Sequence, residues 1–150
     1  MDQAFEYAKD HALETEQDYS YTAKDGTCQA AESKGRVKVT SFADVTTNDP
    51  DALKAAVAEG VVSVAIEADT FVFQFYNGGV LNSKACGTNL DHGVAVVGYG
   101  VDSKKGEYWI VRNSWGPSWG DKGYIKIANT GSKDAGICGI NSQPSIPTAN

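Results

Sequence analysis

The chain has 150 residues, 41% hydrophobic and 21% charged, with a formal charge of −6 and a pI near 4.8. That is enough ordinary globular sequence for a buried core. The longest apolar runs, Gly60 to Ile66 and Gly93 to Gly98, fall well short of the roughly 20 residues that cross a bilayer. The few Lys and Arg residues are scattered rather than gathered into a basic patch, so neither nucleic acid nor membrane is expected as a partner.

Residues 2–12 place Ala4, Phe5, Ala8 and Ala12 at helical spacing, which predicts a short amphipathic helix. The start, Met1-Asp2-Gln3-Ala4-Phe5, is polar and lacks the basic and apolar regions of a signal peptide. It reads as a chain that begins inside a longer precursor. Residues 15–28 are polar and rich in Tyr, ending in the turn signal Lys24-Asp25-Gly26-Thr27. From Arg36 to Val45 the apolar residues alternate as in a strand. Asn48-Asp49-Pro50-Asp51 is a helix start, with a capping side chain and a proline in the first turn. Leu53, Ala56 and Val57 form that helix's apolar stripe, and Gly60 ends it.

Beyond Gly60 the pattern turns to β. Val61 to Glu67 reads as a buried strand, and Thr70 to Tyr76 as an aromatic-rich helical turn. Three further strands are predicted at Gly93 to Tyr99, Glu107 to Asn113 and Gly123 to Ala128. Val101 to Gly106 is a polar hairpin loop between the first two. Such antiparallel connections point to a barrel or a strongly bent sheet.

Cys28, Cys86 and Cys138 make an odd count, which implies a free thiol or a partner elsewhere. No CxxC or HxxxH pattern occurs and His11 lies far from His92, so no metal site is expected. Composition leaves buried thiols and disulfides equally open.

The chemistry concentrates around two residues. His92 stands at the entrance of a strand, and Asn113 at the end of the next one. If the two strands pair through the 101–106 loop, they become neighbours across 21 positions of sequence. Taken singly, each has a plainer explanation as a structural histidine or a turn former. The segment from Asn113 to Tyr124 adds Trp115 and Trp119, four apart and interleaved with glycines. Exposed loops rarely carry Trp, so the indoles either anchor a long loop or shield a polar site from water.

Asp91-His92-Gly93-Val94-Ala95-Val96-Val97-Gly98-Tyr99-Gly100 and Tyr108-Trp109-Ile110-Val111-Arg112-Asn113-Ser114-Trp115-Gly116 resemble the histidine and asparagine motifs of papain-like (cathepsin L-like) cysteine proteases. The likeness runs along essentially the whole chain. Met1 to Phe5 resembles the family's mid-chain helix. Tyr19-Ser20-Tyr21 resembles its Tyr-Pro-Tyr segment with Ser20 for proline, Val61 to Ile66 its buried strand, and Cys138-Gly139-Ile140 with Pro144 its C-terminal region.

The resemblance implies an α+β, papain-like two-domain fold. Residues 1–40 would be the end of the helical left domain, and 41–150 the antiparallel, barrel-like β domain on the right. It implies a cysteine-type endopeptidase using a Cys-His-Asn triad and no cofactor. The family places its nucleophilic Cys roughly 130 to 150 residues before the other two. That puts the nucleophile roughly 40 to 60 residues upstream of Met1, on a missing N-terminal part of the same protease. The isolated chain would then be inactive. A non-catalytic structural or binding protein of the same fold is the alternative. A transglutaminase-like Cys–His acyltransferase is more distant, because an acid usually stands third there.

Within the resemblance His92 and Asn113 are catalytic, supported by Ser114, Trp115 and Trp119. Ala65, Leu90 and Gln143 line the main apolar subsite, S2, and Asp91 offers its backbone carbonyl to substrate. Cys86 pairs with Cys138, and Cys28 with an upstream cysteine. Peptide or protein substrates, a propeptide and cystatin-type inhibitors are the implied partners, in a lysosomal, vacuolar or secreted setting.

Overall fold

The structure is a computed structural model that describes all 150 residues. Its helices are α1 (Asp2–Asp10), α2 (Pro50–Glu59) and α3 (Phe71–Gln74). Its strands are β1 (Val39–Asp44), β2 (Val62–Ile66), β3 (Val80–Leu81), β4 (His92–Asp102), β5 (Gly106–Arg112), β6 (Tyr124–Ala128) and β7 (Ser145–Ala149). The chain divides into two compact units: Met1–Ala43 with Pro147–Asn150, and Asp44–Ile146. No helix is long and apolar enough to cross a membrane.

In the first unit α1 stops two residues short of the predicted end. His11 is already extended (φ −120°, ψ 118°), and Leu13 goes on to bridge Val37. Ala8 and Val39 are buried there, and the Phe5 and Phe42 rings meet at 5.5 Å between centroids. Residues 15–31 carry little regular structure, so side chains answer their backbone amides. Glu16 accepts from Tyr21 N at 3.0 Å, Tyr19 Oη from Gln29 N at 3.1 Å, and Glu14 from Ala31 N at 2.6 Å. Around β1, Lys38 and the end of β7 exchange backbone hydrogen bonds through Asn150.

The second unit is built on a sheet with strand order β7-β2-β4-β5-β6-β3. β2–β4, β4–β5 and β5–β6 pair antiparallel, and β3 joins β6 in parallel. β2 shows the alternation expected of a strand with one dry face: Val62, Val64 and Ile66 have no exposed surface. Trp109, Phe73, Leu53, Ile125, Ile127 and Ile140 are fully buried as well.

α2 begins where its proline and cap require. Asp49 Oδ1 accepts from the amides of Asp51 (3.1 Å) and Ala52 (3.2 Å), while Pro50 occupies a first-turn position with no amide to satisfy. Leu53 and Val57 face the core. Cys86 and Cys138 form a disulfide across 52 residues, tying the 3₁₀ turn Lys84–Cys86 to the turn Ile137–Gly139.

Two predictions come from these restraints. The hydrogen bond from Lys133 Nζ (3.0 Å), and then the cap bond from Ala52, hold the Asp49 carboxyl below its usual range. A depressed folded-state pKa contributes stability above about pH 4 and loses it as pH falls through the lowered value. Asp49→Asn should therefore lower the melting temperature at about pH 6, and the gap to wild type should close near about pH 2. Thermal melts at the two pH values measure this, and a gap independent of pH would contradict it. Replacing Cys86 and Cys138 together by Ala removes a loop constraint worth about 4 kcal/mol in the unfolded chain. Calorimetry should then show a melting point lower by on the order of 10 °C.

Candidate active site

β4 and β5 form a hairpin whose turn is fixed by its own residues. Asp102 Oδ1 accepts from the amides of Lys104 and Lys105, both at 2.8 Å, and these bonds keep the Asp102 carboxyl below its usual range. Next to the turn Tyr99 opposes Trp109, and Gly98 opposes Ile110. Further along, Val96 opposes Val111 and Ala95 opposes Arg112, so Val97 is an extra, unpaired residue.

This bulge decides which side chains meet. Residues opposite one another in an antiparallel pair project to the same face, and a slip of one residue reverses the face. With the bulge, Val94 and Val96 are buried on the face of Val111, and His92 continues that series toward Asn113. Without it Asn113 would oppose Ala95, and His92 would project from the other side of the sheet.

His92 Nε2–H donates to Asn113 Oδ1 at 2.9 Å. The same oxygen accepts from Ser114 N at 2.7 Å. A backbone amide can only donate, so the atom it meets must be the amide oxygen. That orientation places the ring proton of His92 on Nε2 and leaves Nδ1 as the open position. Asn113 itself is buried, its amide N–H bonded to Gly123 O at 3.0 Å, and its Nδ2 has no protein partner.

The two indoles, read from sequence as either loop anchors or a shield, lie beside the His92–Asn113 pair, with Trp115 still partly exposed. The Trp115 ring lies 5.1 Å from that of His92, centroid to centroid, with 31° between planes. Buried Phe73 of α3 supports both indoles, edge-on to Trp115 at 5.5 Å and tilted against Trp119 at 5.1 Å. Trp119 Nε1 donates to Gln74 O at 3.0 Å, locking the aromatic group to the end of α3. The loop needs a glycine at 120: its φ is +58°, and a Cβ there would lie 2.5 Å from Tyr124 O. Tyr76 closes the group from below. Burial raises its phenol pKa, and Oη donates to Gly79 O at 2.6 Å. Phe73, Gln74 and Val97 were not singled out from sequence; the run of aromatics in α3 was the only signal for the first two.

The other predicted residues fall in the same unit. Ala65 is half-buried on β2 opposite Gly93, and Leu90 is half-buried against Gly139. Asp91 is exposed; its amide donates to Ile66 O at 3.0 Å and its carboxylate accepts from Ala68 N at 2.8 Å. Gln143 is exposed two residues before Ser145, which opposes Ser63 on β2. Cys86 lies in its bridge to Cys138, and Cys28 is an exposed free thiol in the first unit.

Comparison with known proteins identifies the family and the fold. The family model described as "Papain family cysteine protease" matches residues 1–148. Cysteine protease XCP2 of Arabidopsis thaliana is 49% identical over 99% of this chain and 42% of its own length. Vignain of Ricinus communis is 48% identical over 98% of this chain and 41% of its own. Among solved structures, the bromelain protease of Ananas comosus in complex with the E64 inhibitor superposes with a TM-score of 0.86 at 38% identity, covering 97% of this chain and 67% of that one. The chain thus spans well under half the length of these curated relatives. It folds as a mostly β-sheet portion of the papain-like architecture and belongs to the papain family of cysteine proteases.

Proposed function

We propose that the chain carries the His and Asn members of a Cys-His-Asn triad, and that the whole protein is a cysteine-type endopeptidase whose nucleophile lies outside these 150 residues. The observation that supports this most is the Nε2–H···Oδ1 bond, made to an amide oriented by Ser114. It holds the imidazole in the tautomer whose Nδ1 can take a proton. A thiol at that nitrogen transfers its proton to form a thiolate–imidazolium pair. The thiolate adds to the scissile carbonyl, and His92 returns the proton to the leaving amine as the C–N bond breaks. Water, deprotonated by the same ring, then cleaves the thioester and regenerates the thiol. Asn113 keeps the ring in place, and Trp115 and Trp119 screen its hydrogen bond.

In this reading residues 1–40 end the left domain and 41–150 form the right one. Ala65 and Leu90 make S2 favour an apolar P2 side chain, with Gln143 at its far end and Asp91 offering its carbonyl. Cys86 cannot attack while bridged to Cys138, and Cys28 pairs with a cysteine of the missing part. A propeptide and cystatin-type inhibitors are further partners. The disulfide favours a lysosomal, vacuolar or secreted setting.

Two experiments test the assignment. In the full-length protein His92→Ala should abolish peptide hydrolysis. Asn113→Ala should lower kcat by about 10²-fold or more with a smaller change in KM, as expected for an orienting member. The isolated 150 residues should neither hydrolyse peptide nor react with a thiol-directed peptidyl probe. Full-length protein that fails to react with that probe would favour a non-catalytic role. Separately, deleting Val97 should remove activity as completely as His92→Ala does, whereas Val97→Ala, which keeps the extra residue, should stay within about threefold of wild type.

A further inference from the structure

Glu67 follows directly on β2 and is only 8% exposed. Buried carboxylates are normally paired with a cation, yet no Lys, Arg or His makes an ion pair with this one. Its Oε2 instead accepts from the backbone amide of Asn89. The carboxylate lies against Gly87, whose φ is +72° and where any Cβ would fall inside contact distance of the carboxyl atoms. The backbone of Glu67 is anchored as well, its amide donating to Cys138 O at 2.9 Å.

Residues 87–91 have no regular structure of their own and lead straight into His92. Their neighbours hold them at two points. Asp91 is bound through Ile66 O and Ala68 N, and Asn89 through the Glu67 side chain. Leu90 lies between these points, packed on Gly139, where a Cβ would stand 2.6 Å from Leu90 Cδ2. Glu67 therefore governs the backbone on one side of Leu90, as Asp91 does on the other.

We infer that Glu67 is a positioning residue for specificity: through Asn89 and the side-chain-free surface of Gly87 it sets the placement of Leu90, and with it selection of an apolar P2 side chain. The inference rests on the protease reading given above. Without the carboxylate the Asn89 amide loses its acceptor, and the 87–89 segment is free to shift relative to β2.

The test uses the full-length protein and peptidyl amides that differ only at P2, Leu against Gly. Reactive sites are counted by titration with a thiol-directed peptidyl inhibitor, so that misfolded molecules drop out. Glu67→Ala and Gly87→Ala should each lower the Leu-to-Gly ratio of per-site kcat/KM by about tenfold, mainly through KM for the Leu substrate. Glu67→Gln keeps the shape and an acceptor oxygen, and should lower it only about two- to threefold. An unchanged ratio in the variants that titrate, whatever their melting points, would overturn the inference. Should the two Ala variants give no titratable sites, Glu67→Gln decides alone by the same ratio. Wild-type protein without a titratable site would instead remove the protease reading itself.

Discussion

The site depends on a single unpaired residue. Between the hairpin turn and Val97, β4 presents Tyr99 beside Trp109, the rings meeting edge-on at 6.4 Å. Beyond Val97 the face turned toward the core belongs to Val96, Val94 and His92. The near half also restricts side-chain size: a Cβ at Gly100 would lie 2.6 Å from the hydroxyl of Tyr108. One extra residue thus reverses the strand's inner and outer faces halfway along, while both halves keep their ladder to β5. The valines beyond the bulge stay buried, and the histidine arrives on the same side of the sheet as the asparagine.

Geometry alone would not make that meeting useful. A hydrogen bond between a histidine and an amide is worth only about 0.5–1.5 kcal/mol net when water can compete for both groups. Here the oxygen is filled by two donors, His92 and Ser114, and the aromatic group of Trp115, Trp119 and Phe73 borders the pair. Phe73 is fully buried, so the indoles rest on the core itself. The other amide atom, Asn113 Nδ2, is buried without a protein partner. Unsatisfied groups of this kind are uncommon in folded proteins, and this one belongs to the side chain that orients the ring.

Local signals were the legible ones. Asn48-Asp49-Pro50-Asp51 specifies a helix start through short-range chemistry, and α2 begins there. The buried strand read over 61–67 appears as β2, while the polar loop read over 101–106 shortens to residues 103–105 because β4 runs to Asp102 and β5 begins at Gly106. β3 was invisible because two residues carry no period, and its pairing with β6 comes from packing. β7 was hidden by Pro147, which lacks an amide and argues against a strand interior. Of the site, His92, Asn113 and the tryptophans could be read from their motifs. The bulge could not, since Val97 is one small apolar residue in a run of similar ones. Nor could Glu67, whose side chain meets the Asn89 amide and Gly87 only through the tertiary fold.

These late-appearing features explain how a residue at a strand entrance is held without being enclosed. His92 is gripped from two directions. On the β5 side, Asn113 fixes the ring plane and the tautomer. On the β2 side, Ile66, Glu67 and Ala68 fix the backbone that precedes it, next to the Cys86–Cys138 bridge. Neither grip occupies Nδ1. A histidine meant only for structure would gain most by filling both ring nitrogens and sinking into the core. This one is half-buried, with its Nε2 side and its backbone committed and the remaining nitrogen left uncommitted. In the protease reading, such rigid support around one open base suits proton transfer, because a ring already in place need not be reordered as charge develops.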